Sequence, residues 1–223
     1  MNTNDLESLI RTILTEQLTP ATASASNAIF ASVDEAVNAA HSAFLRYQQS
    51  PMKTRSAIIS ALRQQLKPQL ASLSERGASE TGMGNKEDKF LKNKAALENT
   101  PGIEDLSTTA LTGDGGMVLF EYSPFGVIGS VAPSTNPTET IINNSISMLA
   151  AGNAVYFSPH PGAKAVSLDL IAQIEAIIFN SCGIRNLVVT VQEPSFEATQ
   201  QMMAHDKIAC WRSPAGLPLW RWA

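Results

Sequence analysis

The chain has 223 residues, 44% hydrophobic and 16% charged, a globular composition long enough for one sizeable domain. Sixteen Lys and Arg against 20 Asp and Glu give a net charge of −4, so no basic excess favours nucleic acid or an anionic membrane. Two cysteines exclude a disulfide scaffold, and the three tryptophans all fall in the last thirteen residues, which sets the tail apart from the body.

No run of about 18 apolar residues is present to span a membrane. Asp5, Glu7, Arg11 and Glu16 interrupt the apolar core that a secretory signal needs. Residues 4–18 read instead as a short amphipathic helix, with Leu6, Leu9, Ile10, Ile13 and Leu14 on one stripe. Asn4 and Glu7 form a capping box at its start. Thr19-Pro20 ends it, and residues 19–28 are expected to be a flexible linker. So short a helix is marginal alone in water and gains stability by laying its apolar face in a partner's groove, or against its own domain.

A second helix is predicted over 33–49, capped by Ser32, with Val33, Val37, Ala40, Phe44 and Tyr47 as its buried stripe. A third is predicted over 51–76, starting at Pro51 and kinked by Pro68. Gly82 and Gly84 break the pattern, and a charged helix follows from Asn85. From Met117 the period changes. The apolar runs MVLFEYS and GVIGSVA read as strands, followed by a helix at about 138–151, a strand NAVYFS, a helix at about 162–181, a strand at 187–191 and a helix from Ser195. This alternation predicts a parallel α/β sheet preceded by helices. The strands are unbroken apolar runs, as expected where helices cover both faces.

In open parallel sheets ligands sit beyond the C-terminal strand ends. Two strand-to-helix turns qualify. Ala132-Pro133-Ser134-Thr135-Asn136-Pro137-Thr138 is rich in donors, and Asn136 can either present its amide to a developing oxyanion or, with Thr138, cap the next helix. Ser158-Pro159-His160-Pro161-Gly162-Ala163-Lys164 precedes a helix whose first amides can meet an anion, with His160 and Lys164 adding charge. Neither a Walker loop nor G-x-G-x-x-G is present. Cys182 ends a helix with no nearby His and reads as a small buried residue. His41 and His205 have no partner at metal spacing, so no metal site is expected.

Three stretches carry a resemblance: ETGMGNKEDKFLKN (80–93), LTGDGGMVLFEYSPFGVIGSVAPSTNPTETIINNSISMLAAGN (111–153) and FSPHPGAK (157–164). They closely resemble the CoA-acylating aldehyde dehydrogenases, above all the propionaldehyde-oxidising branch of propanediol-utilising bacterial microcompartments. They are less similar to the acetaldehyde-oxidising branch of ethanolamine utilisation. The likeness runs to about residue 209 and implies a Rossmann-like cofactor domain over 29–209. It implies oxidation of a short aldehyde with NAD and coenzyme A, through a cysteine thiolate and a thioester. It makes Asn136 the oxyanion-binding asparagine. It makes Ala132, Pro133, Ser134, Thr135, Ser158, Pro159 and His160 cofactor contacts, with Ser158 standing where hydrolytic relatives carry a lysine. It implies a homo-oligomer in the lumen of a cytoplasmic microcompartment, with residues 1–18 binding a shell protein.

The family's nucleophilic cysteine, its later glutamate and its glycine-rich nicotinamide-side turn have no counterpart here, so the chain alone is expected to be inactive. The alternatives are the acetaldehyde-oxidising branch of ethanolamine utilisation and a non-enzymatic cargo or interaction fragment. In the family an apolar strand and a Thr-Gly-Gly turn follow Ala209. Here residues 210–223 differ, but reading from the third base of the Cys210 codon forces Leu from Cys210-Trp211, gives Ala from Trp220-Arg221 with a four-fold arginine codon, and permits Thr-Gly-Gly from Pro214 to Gly216. Residues 210–223 are therefore expected to be an out-of-frame tail, with Leu217, Leu219, Trp220 and Trp222 having nothing obvious to pack on.

Overall fold

The computed structural model describes residues 28–213, together with the strand at residues 219–220 as backbone. The helix expected over 4–18 and nearly all of the 19–28 linker lie outside the described residues.

A short strand, β1 (Ile29–Phe30), leads into α1 (Val33–Tyr47). Ser32 caps α1 by accepting from the Glu35 amide at 3.3 Å, as its position next to an apolar stripe predicts. The single helix expected over 51–76 is two. α2 (Met52–Leu66) ends where Pro68 lacks an N–H for the ladder, the chain tightens into a 3₁₀ turn at Lys67–Gln69, and α3 (Leu70–Thr81) resumes. Pro51 occupies the cap rather than the first turn of α2. α3 ends on Gly82 in the left-handed region, and Asn85 caps α4 (Lys86–Asn99) through the Asp88 amide at 2.8 Å.

The strand predicted at MVLFEYS does not join the main sheet. It is β3 (Gly116–Phe120), paired antiparallel with β2 (Thr109–Gly113), a strand the periodicity did not reveal. Leu111, Met117, Val118, Leu119 and Phe120 are exposed, so helices do not cover this ribbon as the unbroken apolar run had suggested. Cross-strand neighbours such as Leu111 and Val118 share one face, and Ala110 and Leu119 the other.

The remaining strands form one sheet. β4 (Val127–Ala132), β5 (Ala154–Pro159), β6 (Val188–Val191) and β7 (Ile208–Arg212) alternate with α5 (Pro137–Ala150), α6 (Lys164–Cys182) and α7 (Phe196–Ala204). The order is β1-β6-β5-β4-β7-β8, all parallel except β8 (Leu219–Trp220), which runs antiparallel to β7. α1 and α7 pack together against one face. α5 and α6 cover the other, and α2, α3 and α4 form a further layer over them. Right-handed crossovers require this division, because β4, β5 and β6 progress one way and β7 returns to the far side of β4. α6 is long and apolar enough to cross a membrane by composition, but Val166, Leu170, Ile171 and Ile174 are fully buried in this core.

Buried polar groups tie the layers. Asn144 of α5 donates to Ser130 of β4 at 2.8 Å, and Asn153 accepts from the amides of Phe125 and Gly126 at 2.7 and 3.2 Å, fixing the entry to β4. The boundary expected between residues 209 and 210 falls inside β7: Cys210 is buried, and Trp211 is partly buried against the core. Backbone pairing to β4 accounts for this, since a parallel ladder asks little of side-chain identity.

Candidate active site

The order of the strands reverses between β4 and β7, which makes the crevice beyond their C-terminal ends the topological switch point. The turn at 132–136 leaves β4 there, and Arg212 and Ser213 leave β7 beside it. Two cavities open on this crevice.

The first, of about 510 Å³ and mostly apolar, is lined by Ala132 and Pro133 after β4, Ser158, Pro159 and His160 after β5, Phe196 and Thr199 of α7, and Ser213 after β7. Five of the seven predicted cofactor contacts are therefore brought together. Ser158 is buried, its hydroxyl 2.7 Å from that of Thr199, and forms wall rather than a reaching group. Ser134 and Thr135 do not line this cavity. The Ser134 hydroxyl faces the Met83 sulfur at 3.8 Å, and the Thr135 carbonyl accepts from Lys89 at 3.0 Å. Phe196 and Thr199 escaped the sequence reading, although Ser195 begins a third strand-to-helix turn at the same end of the sheet.

The anion site expected at the start of α6 is already filled. The Glu80 carboxylate accepts from the amides of Ala165 and Val166 at 2.7 and 2.8 Å, satisfying donors that a phosphate would otherwise use. Lys164 pairs with Glu193 at 2.6 Å, and His160 Nδ1 accepts from the Gly162 amide at 3.0 Å. At α7, Ser195 takes the Ala198 amide at 3.1 Å. The lining is mostly apolar and the nearby helix-start amides are partnered, which suits a nucleoside base better than a phosphate.

The second cavity, of about 450 Å³, lies across the same turn and is lined by Lys92, Asn136, Glu139, Thr140, Asn143, Asn144 and Arg212. Asn136 holds the cap position of α5, but its side chain makes no capping bond; its carbonyl takes the Thr140 amide at 3.2 Å and its Oδ1 accepts from Lys92 at 3.2 Å. The capping alternative fails for Asn136. It fails for Thr138 too, whose hydroxyl turns to Glu139 at 3.2 Å. An amide at the crest of the turn thus faces one cavity while the turn's first residues line the other.

Neither cysteine fits a nucleophile. Cys182 is half-buried at the end of α6 and Cys210 is buried in β7, and burial pushes both thiols up, away from thiolate.

The aldehyde dehydrogenase family model matches residues 14–212, and the chain belongs to that family. It is 80% identical over 210 residues to the propanal dehydrogenase (CoA-propanoylating) of Citrobacter freundii, which covers 94% of this chain and 46% of that protein. It is 44% identical to the acetaldehyde dehydrogenase (acetylating) of Escherichia coli K12, over 91% of this chain and 44% of that protein. Among solved structures it resembles propionaldehyde dehydrogenase from Rhodopseudomonas palustris with bound propionyl-CoA, at a TM-score of 0.82 and 49% identity, over 85% of this chain and 42% of that one. It also resembles the propionaldehyde dehydrogenase of the fucose-utilisation microcompartment of Clostridium phytofermentans, at 0.80 and 40%, over 82% of this chain and 42% of that one. The chain spans less than half the length of the curated relatives it matches.

Proposed function

We propose that this chain supplies the cofactor-side and oxyanion-side part of an NAD-dependent, CoA-acylating propanal dehydrogenase. The observation that carries the reading is the turn 132–136, which separates a mostly apolar cavity from one lined largely by charged and amide side chains and carries Asn136, free of capping duty, between them. When bound, NAD supplies the hydride acceptor and CoA the thiol that carries off the acyl group. The chain's own residues bind and orient. Ala132, Pro133, Pro159, His160 and Phe196 hold an adenosine, which both cofactors carry. The Asn136 NH₂ donates to the oxygen of the attacked carbonyl as it gains charge, where a preformed donor contributes most. The thiolate comes from outside the 223 residues, because neither Cys182 nor Cys210 suits the role.

The higher identity to the propanal enzyme than to the acetaldehyde enzyme favours propanal as substrate. Likeness to a microcompartment enzyme supports a place in such a lumen, with residues 1–18 as the shell-binding segment, which lies outside the described residues. The exposed β2–β3 ribbon supports a homo-oligomer, since a two-stranded hairpin with apolar side chains on both faces needs cover. For residues 210–223 the out-of-frame reading stands as part of this proposal, and the coding DNA tests it.

The test of function is NADH formation from propanal with CoA. The 223-residue chain is expected to form none, and a full-length enzyme bearing this sequence is expected to turn over propanal faster than ethanal. Turnover by the short chain, or a preference for ethanal, overturns the corresponding part.

A further inference from the structure

Two lysines of α4 converge on the turn that carries Asn136. Lys89 is only 2% exposed. Its stem passes Gly77 and Gly84, where an added Cβ would lie 3.8 Å and 3.9 Å from Lys89 Cδ and Cε. Its ammonium ends 3.0 Å from the Thr135 carbonyl. Removing an ammonium from water is costly unless acceptors receive it, and here the acceptor is the main chain one residue before Asn136. Lys92 lies one helical turn further on the same side of α4 and is exposed. It reaches the Asn136 side chain at 3.2 Å.

An ammonium can only donate. The atom of Asn136 that faces Lys92 must therefore be the amide oxygen, and the NH₂ group is turned the other way. Among the described residues that NH₂ donates to none, and Asn136 lines the cavity that Lys92 and Arg212 also line. A cation on the oxygen also polarises the amide and makes its N–H protons better donors.

We propose that Lys92 is a positioning residue for Asn136: it fixes which end of the amide meets an oxyanion, on a main chain already held by Lys89. This rests on the oxyanion role given to Asn136 above. It also gives the helix KEDKFLKNK a role beyond that of a charged surface.

The test follows the Asn136 side-chain NH₂ signals in the ¹⁵N-labelled chain, assigned by their loss in Asn136→Asp. Lys92→Met is expected to shift these signals towards those of a free asparagine, and Lys92→Arg to restore them. Lys94→Met, which removes the same charge from the same helix, is expected to leave them in place. Propanoate, as a carboxylate probe, is expected to shift the signals less in Lys92→Met than in Lys94→Met. The proposal is overturned if Lys92→Met leaves the signals unmoved, or if Lys94→Met moves them equally. Failure of the full-length enzyme in the acylation assay, with these shifts as expected, removes the function and leaves the positioning. A working enzyme with unmoved signals removes the positioning alone.

Discussion

Glu175 shows how a single side chain sets a pH dependence. It lies on α6, 2% exposed, and its carboxylate accepts from the amides of Asn186 and Val188, with Asn186 in the left-handed region at φ 68°. Burial pushes it up to about 7, against the downward pull of those amides and of the Arg185 guanidinium. A value above the ordinary 4.5 means that the folded state holds the proton more tightly than the unfolded one. Its contribution to stability is then complete below about 4.5 and lost as pH rises through about 7. The difference is on the order of 3 kcal/mol. Glu175→Gln is expected to shrink the loss of urea stability between pH 5.5 and pH 8.5, all other groups being unchanged. An undiminished loss would assign it to other groups.

At the scale of elements, α6 owes its start to a residue far away in sequence. Glu80, near the end of α3, reaches 85 residues along the chain to cap two amides of α6. Arg76, a turn earlier, pairs with Asp169 of α6 at 2.7 Å. Both side chains of that pair are partly exposed, so it adds little in water. The cap adds more, because it satisfies donors that the helix cannot satisfy itself. Glu80→Ala is expected to cost about 1 kcal/mol in urea unfolding, and Glu80→Gln, which keeps one acceptor, less. An Ala variant as stable as the parent would show that water serves those amides equally well. The same element pair occupies two first-turn amides of α6 that an anion at the turn after β5 would otherwise use.

For the whole molecule, the body from β1 to β7 buries its apolar side chains around one sheet, while the β2–β3 ribbon stands apart with its own exposed. The self-association proposed above is therefore assigned to the ribbon. Leu119→Lys combined with Val118→Thr puts polar groups on both faces of β3 and is expected to raise the monomer fraction in sedimentation without lowering the thermal midpoint. Unchanged association would direct attention to other surfaces.

The sequence by itself determined the local elements of the body, and with them where the candidate site would be sought. Ser32, Asn85 and Ser195 announced helix starts by side-chain chemistry, and GVIGSVA, NAVYFS and LVVTV announced buried strands by unbroken apolar character. The rule that ligands gather beyond parallel strand ends located both turns, and the family likeness singled out Asn136. These are local signals, carried within a few residues. Only the tertiary structure decided what meets what. The MVLFEYS run looked like a core strand, but its partner β2 and its exposure depend on where the chain leaves the body. Glu80 on the α6 amides and Lys89 and Lys92 at the turn join segments 44 to 86 residues apart. Periodicity records which face of an element is apolar. It does not record which distant donor or acceptor will satisfy a polar group, because that depends on the packing of layers that no short window of sequence contains.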